Sequence, residues 1–224
     1  MSMYPVLLDI AGKICVVIGG GSVAERKVRG LLESGASVSV VSPEVTSGLA
    51  GLASQGIVEW RKKKYTNDDL VGAVLIFAAT DDREVQGLIS RAAGVNGQLL
   101  NVADDPDSCS FHVPATMRRG DLTLAVSTSG KSPAVAALIR QQLEEEFGPE
   151  YDTLLQVMSV VRKHIFLETE SLSQADRKKI YKKILHNDII DWIRTGQGDK
   201  LQDHLKDILG PDTELDVNLP KLDT

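Results

Sequence analysis

Apolar runs separated by helix-like segments fill the first half of the chain. The apolar runs cover 13–21, 36–42, 57–60, 73–80 and 98–105. The clearest helical segments lie between them at 22–35 and 81–97, and Asp81 or Asp82 caps the second. Continuous apolar strands that alternate with helices are typical of a parallel sheet covered on both faces. Since crossovers in such a sheet are right-handed, we predict an α/β fold with a doubly wound, Rossmann-type parallel sheet.

The pattern changes after about residue 113. An alternating strand and the small-residue loop after it cover 120–130. A helix follows over 132–148, and the residues from 150 to 209 look helical throughout. Ser173 begins a capping signature within this helical region. We therefore predict a nucleotide-binding Rossmann domain, a linking segment and a small all-helical domain, over 1–113, 114–147 and 148–224.

Composition narrows the class of protein. The chain has 224 residues, 42% hydrophobic and 25% charged, as an ordinary globular protein has. A formal net charge of -6 argues against nucleic acid as the main partner. The two cysteines, Cys15 and Cys109, form no disulfide framework, and Cys15 lies in an apolar run typical of a buried thiol. No targeting pattern or membrane-length apolar run occurs, so we expect a cytoplasmic protein that does not associate with membranes.

A glycine-rich turn joins the first strand to the first helix. The sequence GGGSVA matches G-x-G-x-x-A, where Gly19 allows the tight turn and Gly21 lets a pyrophosphate approach the backbone. Ala24 lets helix and strand pack closely, and the phosphates would lie at the N-terminus of the helix that begins near Ser22. We predict dinucleotide binding; the alternative is a structural turn without a ligand.

The end of the second strand bears on the choice of cofactor. It carries Ser42, Pro43 and Glu44, and Glu44 would bind ribose hydroxyls. No arginine or lysine stands in SPEVTSG to invite a 2′-phosphate, so NAD is favoured over NADP. The alternative is that Glu44 is a solvated loop residue. Thr80 and Asn101, at the ends of the fourth and fifth strands, complete the predicted cofactor contacts.

Two adjacent carboxylates follow the fifth strand. The side chains of Asp104 and Asp105 should diverge, so that one of them faces the crevice as a base; the alternative is a turn before Pro106. Cys109 and His112 have a spacing that can ligate metal, but no second pair completes a zinc site. His112 by itself is more often a structural histidine than a catalyst.

A donor-rich loop precedes the helix over 132–148. Together with Arg118 and Arg119 it could receive carboxylates, although an ordinary N-cap loop would look the same. The predicted substrate contacts are His112, Ser127, Thr128, Ser129, Gly130 and Lys131.

Five stretches in this order and spacing closely resemble the precorrin-2 dehydrogenase family, which is the dehydrogenase and ferrochelatase module of siroheme synthases. They are YPVLLDIAGKICVVIGGGSVAERKV, FAATDD, NVADDP, FHVPA and LAVSTSGKSPAVAALIRQQLE. The resemblance covers about 1–145 and continues through the helical region by length and character. It implies NAD-dependent oxidation of precorrin-2 to sirohydrochlorin in siroheme synthesis. In some members the same site also inserts Fe²⁺, so the family uses iron as a substrate and holds no permanently bound metal.

The resemblance also implies roles for parts of this chain. Residues 114–147 would form the dimerisation segment of a homodimer. Asp104 would be the general base and would assist chelation in bifunctional members. The NAD contacts of the family map onto Ser22, Val23, Pro43 and Glu44. The serine-rich loop would lie near the tetrapyrrole, and Thr128 stands where some members have serine.

Two other functions fit parts of the sequence. A non-catalytic NAD-sensing Rossmann regulatory module shares the glycine loop, but it does not predict NVADDP followed by STSGKSP. A dehydrogenase acting on another small substrate is supported by the fold alone. Because the chain ends soon after the helical region, we expect another protein to methylate uroporphyrinogen.

Overall fold

A computed structural model describes residues 3–168, 172–186 and 188–211. The chain divides into two compact units, Met1–Val113 and Pro114–Thr224. The dimerisation segment over 114–147 and the helical domain over 148–224 stay predictions. Residues 212–224 of that predicted domain lie outside the described residues.

A five-stranded parallel sheet forms the centre of the first unit, in the order β3-β2-β1-β4-β5. Its strands are β1 (Ile14–Ile18), β2 (Ser37–Val41), β3 (Glu59–Arg61), β4 (Leu75–Ala78) and β5 (Leu99–Val102). Its helices are α1 (Ser22–Glu33), α2 (Ser47–Ser54) and α3 (Arg83–Asn96). The predicted α/β fold class is confirmed, because the strand order reverses at β1 as in a doubly wound sheet.

Apolar side chains cover both faces of this sheet. Successive residues of β1 enter different clusters: Val17 packs with Ala24 and Val28 of α1, whereas Ile18 packs with Ile89 of α3. This alternation follows from the two-residue repeat of a strand. Two-sided burial explains why the strands are continuous apolar runs and not alternating ones. Because β1, β4 and β5 are neighbouring parallel strands, their carboxyl ends lie side by side at one edge of the sheet.

Asp69 fixes the segment between β3 and β4. Its carboxylate is only 3% exposed and accepts hydrogen bonds from Lys63 Nζ at 2.8 Å and from Thr66 N at 2.9 Å. Burial alone would raise the pKa of this carboxyl, but the hydrogen bonds from Lys63 and Thr66 outweigh burial and hold the pKa below its usual value. The ionised form of Asp69 therefore stabilises the folded chain.

Asp69→Asn should lower the free energy of unfolding at neutral pH by about 1.5–3 kcal/mol, because hydrogen bonds to a charged acceptor are lost. The folded pKa lies below the unfolded one, so this stabilisation is present above the unfolded pKa and disappears as pH falls through the folded pKa. Urea unfolding at neutral and acidic pH measures the effect. Asp68→Asn, at the exposed neighbouring position, is the control. Equal losses for both variants, or a loss for Asp69→Asn that persists in acid, would contradict the assignment.

The second unit begins with an antiparallel hairpin of β6 (Ala115–Arg119) and β7 (Leu122–Val126). The strand and loop predicted over 120–130 correspond to β7 and the loop after it, whereas β6, which precedes the hairpin turn at Gly120 (φ +52°), was not predicted. Arg119, considered above as a receiver of carboxylates, donates to the carbonyl oxygens of Glu144 and Phe147 at 3.0 and 2.9 Å. Its guanidinium thereby caps the C-terminus of the helix that follows the hairpin.

The described residues of the second unit also form five helices: α4 (Pro133–Glu146), α5 (Glu150–Glu168), α6 (Gln174–Ile184), α7 (Asp188–Arg194) and α8 (Gly198–Leu209). Ser173 caps α6 as predicted, accepting a hydrogen bond from Asp176 N at 3.2 Å. The buried Glu150 at the start of α5 accepts a hydrogen bond from Arg194 of α7 at 2.7 Å. None of the described helices is both long and apolar enough to span a bilayer.

Candidate active site

The glycine loop between β1 and α1 is packed against two other turns. Gly19 has a φ of +119°, and a Cβ there would overlap the carbonyl oxygen of Ala79 after β4. A Cβ at Gly20 would overlap the carbonyl oxygen of Glu44 after β2. The sequence predicted that Gly19 allows a tight turn, but it predicted no role for Gly20. Both glycines are therefore required by the protein's own backbone.

Gly21 differs from its two neighbours because it faces open space. Apart from the adjacent backbone, no described atom lies within 4 Å of a Cβ built on it. Helical hydrogen bonding in α1 starts only with Glu25 N, which donates to Gly21 O at 3.0 Å, so the amides of Ser22, Val23 and Ala24 precede it. Ala24 is fully buried against the sheet, as its motif position predicts. Open space beside unpaired amides at a helix N-terminus fits the pyrophosphate of a dinucleotide.

Two residues after β2 differ in role: the Ser42 side chain is structural, whereas the Glu44 carboxylate is available to a ligand. Ser42 is buried, and its hydroxyl donates to the carbonyl oxygen of Glu44 at 2.6 Å, while Trp60 donates to Ser42 O at 2.9 Å. Pro43 and Glu44 are exposed. Among the described residues, none forms a hydrogen bond or ion pair with the Glu44 carboxylate. Glu44 can therefore receive ribose hydroxyls, whereas the Ser42 side chain shapes the loop.

Glu25 is a site residue that sequence reasoning missed. Its carboxylate accepts hydrogen bonds from Thr46 Oγ1 at 2.5 Å and from Arg29 at 2.6 Å, and both lower its pKa, Thr46 more strongly. Thr46 N also donates to Gly20 O at 2.9 Å. These bonds tie the loop that carries Glu44 to the glycine loop. The sequence gives no signal for them, because Thr46 lies 21 residues from Glu25.

The carboxyl ends of β4 and β5 continue the same edge. Thr80 follows β4, and its hydroxyl accepts from Asp82 N at 3.3 Å near the cap of α3. The Asn101 amide in β5 donates to Phe111 O at 3.1 Å, so it anchors the loop after β5. Both side chains predicted as cofactor contacts thus have bonds within the protein. The cofactor contact predicted for each of them is untested.

Asp104 and Asp105 differ in their hydrogen bonding. Asp105 accepts a hydrogen bond from Ser108 Oγ at 2.7 Å, which is the main cause of its lowered pKa. Asp104 is exposed and its backbone has a φ of +60°, a left-handed conformation that aspartate tolerates better than most residues. None of the described residues forms a hydrogen bond or ion pair with the Asp104 carboxylate. Of the two acids, Asp104 is thus the one available to a substrate.

Cys109 holds the loop after β5 through its sulfur. Val102 N donates to Cys109 Sγ at 3.1 Å, and the thiol donates to Asp105 O at 3.3 Å. Burial raises the pKa of the thiol, and the two hydrogen bonds give it a structural role in the loop. His112 is half-buried. Within the described parts of the chain, no group of three or more His, Cys, Asp or Glu residues could hold a metal ion.

The loop before α4 is ordered by its own side chains. Thr128 Oγ1 accepts from Ser132 N and donates to Ser132 O, both at 3.1 Å. Ser129 has a φ of +51°, and its amide donates to Ser127 Oγ at 3.2 Å. Gly130 and Lys131 are exposed, next to the cap of α4 at Ser132. The Thr128 hydroxyl is therefore occupied within the loop. Contact of this loop with a substrate remains a prediction.

Comparisons with known proteins agree with this geometry. Residues 6–115 match a family model described as putative NAD(P)-binding, and residues 119–146 match the central segment of sirohaem biosynthesis proteins. The siroheme synthase of Nitrosomonas eutropha is 35% identical over 93% of this chain and 44% of its own length. That of Pseudomonas aeruginosa strain LESB58 is 35% identical over 88% of this chain and 42% of its own length. The chain thus spans less than half the length of these relatives.

A solved structure matches nearly the whole chain. SirC, a precorrin-2 dehydrogenase, has a TM-score of 0.74 at 27% identity and covers 92% of this chain and 98% of its own. Fold and glycine loop define an NAD(P)-binding α/β protein of the Rossmann class. Within that class, the chain carries a match to the central segment of sirohaem biosynthesis proteins and is similar to siroheme synthases and to a solved precorrin-2 dehydrogenase. The resemblance read from the sequence is confirmed.

Proposed function

We propose that this chain oxidises precorrin-2 to sirohydrochlorin with NAD as the hydride acceptor. The observation that carries the proposal is the exposed, unpaired carboxylate of Asp104 at the sheet edge that also holds the open glycine loop. Similarity supports the substrate, since a solved structure that matches 92% of this chain and 98% of its own is named a precorrin-2 dehydrogenase. The cytoplasmic location expected from the sequence stays a prediction.

The reaction divides between cofactor and protein. A bound nicotinamide supplies a hydride acceptor. The oxidation also releases a proton from the tetrapyrrole, and a carboxylate oxygen of Asp104 accepts it. Because Asp104 is exposed, water can remove that proton and restore the base for the next turnover. The amides of Ser22 and Val23 would hold the pyrophosphate during this step.

Anaerobic turnover of precorrin-2 with NAD tests the proposal. We expect NADH and sirohydrochlorin to form together, and both can be followed by absorbance. A protein that binds NAD but makes no NADH from precorrin-2 would instead fit the NAD-sensing alternative. Ferrous iron added to the same assay tests the chelation that the resemblance implies for some members. Siroheme formed faster than without protein would make the enzyme bifunctional.

The choice of NAD rests on Glu44. An exposed carboxylate without a partner would bind ribose hydroxyls and repel a 2′-phosphate. We expect kcat/KM to favour NAD over NADP by at least about tenfold, and Glu44→Gln to reduce this preference chiefly by improving NADP. Glu33→Gln, at the exposed far end of α1, is the matched control. An unchanged preference in Glu44→Gln would remove Glu44 from the site.

The proposal of a homodimer is supported by apolar side chains that are exposed along α4. Val135, Leu138 and Ile139 are 45%, 56% and 37% exposed, which is more apolar surface than one solvated helix needs. Burial of these side chains against a second copy would explain the exposure. We expect the protein to sediment as a dimer and Leu138→Glu to sediment as a monomer. A wild-type monomer at micromolar concentration would contradict this proposal.

A further inference from the structure

Gln86 links α3 to the turn that follows β4. Its side chain lies one helical turn into α3 and is only 6% exposed. The amide Nε2 donates to the main-chain oxygen of Thr80 at 2.7 Å. A buried glutamine thus reaches back past the cap of its own helix and holds a carbonyl at the sheet edge that carries the glycine loop.

The same turn is held on its other sides by the glycine loop and by the helix cap. Ala79 N donates to Ile18 O at 2.7 Å, and the Ala79 carbonyl fills the space where Gly19 lacks a side chain. Asp82 caps α3 by accepting from Glu84 N at 2.9 Å. Between these fixed points, the orientation of the Thr80–Asp81 peptide is set by the bond from Gln86.

Peptide planarity gives this orientation a consequence for Asp81. In a trans peptide, the carbonyl and the following N–H point in opposite directions. The Thr80 carbonyl points inward to Gln86, so the Asp81 N–H points outward. Asp81 is exposed, and no described residue accepts a hydrogen bond from its amide. The N–H lies on the turn packed against Gly19, beside the loop proposed to hold the pyrophosphate.

We propose that Gln86 is a positioning residue of the cofactor site, which aims the Asp81 N–H at an acceptor oxygen of the bound dinucleotide. This inference rests on the proposed function. Gln86 itself touches no cofactor and acts through the Thr80–Asp81 peptide.

The Oε1 atom of Gln86 argues against a role in stability alone. It is buried, and no described residue donates a hydrogen bond to it. A buried acceptor without a partner opposes folding, so an apolar side chain of the same size would serve a purely structural position better. The useful part of Gln86 is consequently its donor, which is the part that fixes the turn.

Gln98 provides a matched control. Its Nε2 donates to Leu70 O at 2.7 Å and to Ala73 O at 2.8 Å. This is the same amide-to-carbonyl chemistry, but it lies where β4 and β5 begin, at the opposite edge of the sheet from the glycine loop. Replacement by methionine removes the donor from either residue and keeps the length of the side chain.

Calorimetric titration of NAD into wild type, Gln86→Met and Gln98→Met tests the proposal. We expect Gln86→Met to raise the Kd for NAD about tenfold and Gln98→Met to leave it within about twofold, while thermal midpoints record the stability cost of each. A Kd unchanged in a folded Gln86→Met protein would overturn the proposal, as would an equal increase in Gln98→Met.

Amide hydrogen exchange in the wild-type protein needs no variant. NAD should slow exchange of the Asp81 amide at least tenfold, and saturating NAD without this protection would overturn the proposal. Protection without precorrin-2 turnover would leave this inference standing while the proposed reaction failed. A wild-type protein that binds no NAD would overturn both.

Discussion

Asp104→Asn should lower kcat for precorrin-2 oxidation by about 10²–10⁴-fold, which is the usual contribution of a general base. Asparagine tolerates the left-handed backbone at φ +60°, so the loop after β5 should keep its shape. The Kd for NAD should stay within about twofold of wild type, since the glycine loop is untouched. Stopped-flow absorbance with calorimetric NAD titration separates the two effects.

Asp107→Asn is the control for this prediction. Asp107 is an exposed carboxylate of the same loop, and its substitution should leave kcat unchanged. Asp105→Asn should mainly loosen the loop, because Asp105 bonds Ser108 at 2.7 Å. Full activity of Asp104→Asn, or equal losses for Asp104→Asn and Asp107→Asn, would place the base elsewhere.

Replacing the glycines of the loop one at a time should lower stability at one position and affinity for the cofactor at another. Gly19→Ala should lower the free energy of unfolding by at least about 2–3 kcal/mol, because a Cβ would overlap Ala79 O and φ is +119°. Gly21→Ala should leave stability nearly unchanged, since the space around it is open and its φ is -81°. Its affinity for NAD should nevertheless fall more than about tenfold, because the new methyl would occupy the space for the pyrophosphate.

Gly30→Ala is the control for these substitutions, since Gly30 lies in the same helix, α1. Gly30 is an exposed position within α1 where a Cβ meets no described atom within 4 Å, so alanine should stabilise the fold by about 0.5–1 kcal/mol without affecting NAD. Urea unfolding and NAD titration on the same preparations give both quantities. If Gly21→Ala binds NAD as wild type does, the open space beside α1 is not a phosphate site.

The fold was predictable from the sequence because its signals are local. Continuous apolar runs mark strands buried on both faces, and GGGSVA marks the turn from β1 to α1. The cap of α3 was predicted only to within two residues, and the structure assigns it to Asp82. Adjacent aspartates offer the same capping chemistry, so only the backbone could choose between them.

The missed features depend on contacts between distant residues. Arg119 bonds the carbonyl oxygen of Phe147, 28 residues away, and Glu25 bonds Thr46, 21 residues away. Gln98 reaches Leu70 in the same manner. No pattern along the chain encodes such pairs, because each is set by how strands and helices pack. The bond between the Thr128 hydroxyl and Ser132 also could not be predicted from the sequence, because it depends on the shape of the loop that holds both residues.

The three turns at the carboxyl edge of the sheet are joined to one another by the protein's own main-chain hydrogen bonds. Gly19 N donates to Val41 O at 3.0 Å, Thr46 N to Gly20 O at 2.9 Å and Ala79 N to Ile18 O at 2.7 Å. The proposed NAD should therefore lose little affinity to the ordering of these loops. Its association should be a single concentration-dependent phase without a slow rearrangement, and the heat-capacity change on binding should reflect only the surface covered by the cofactor.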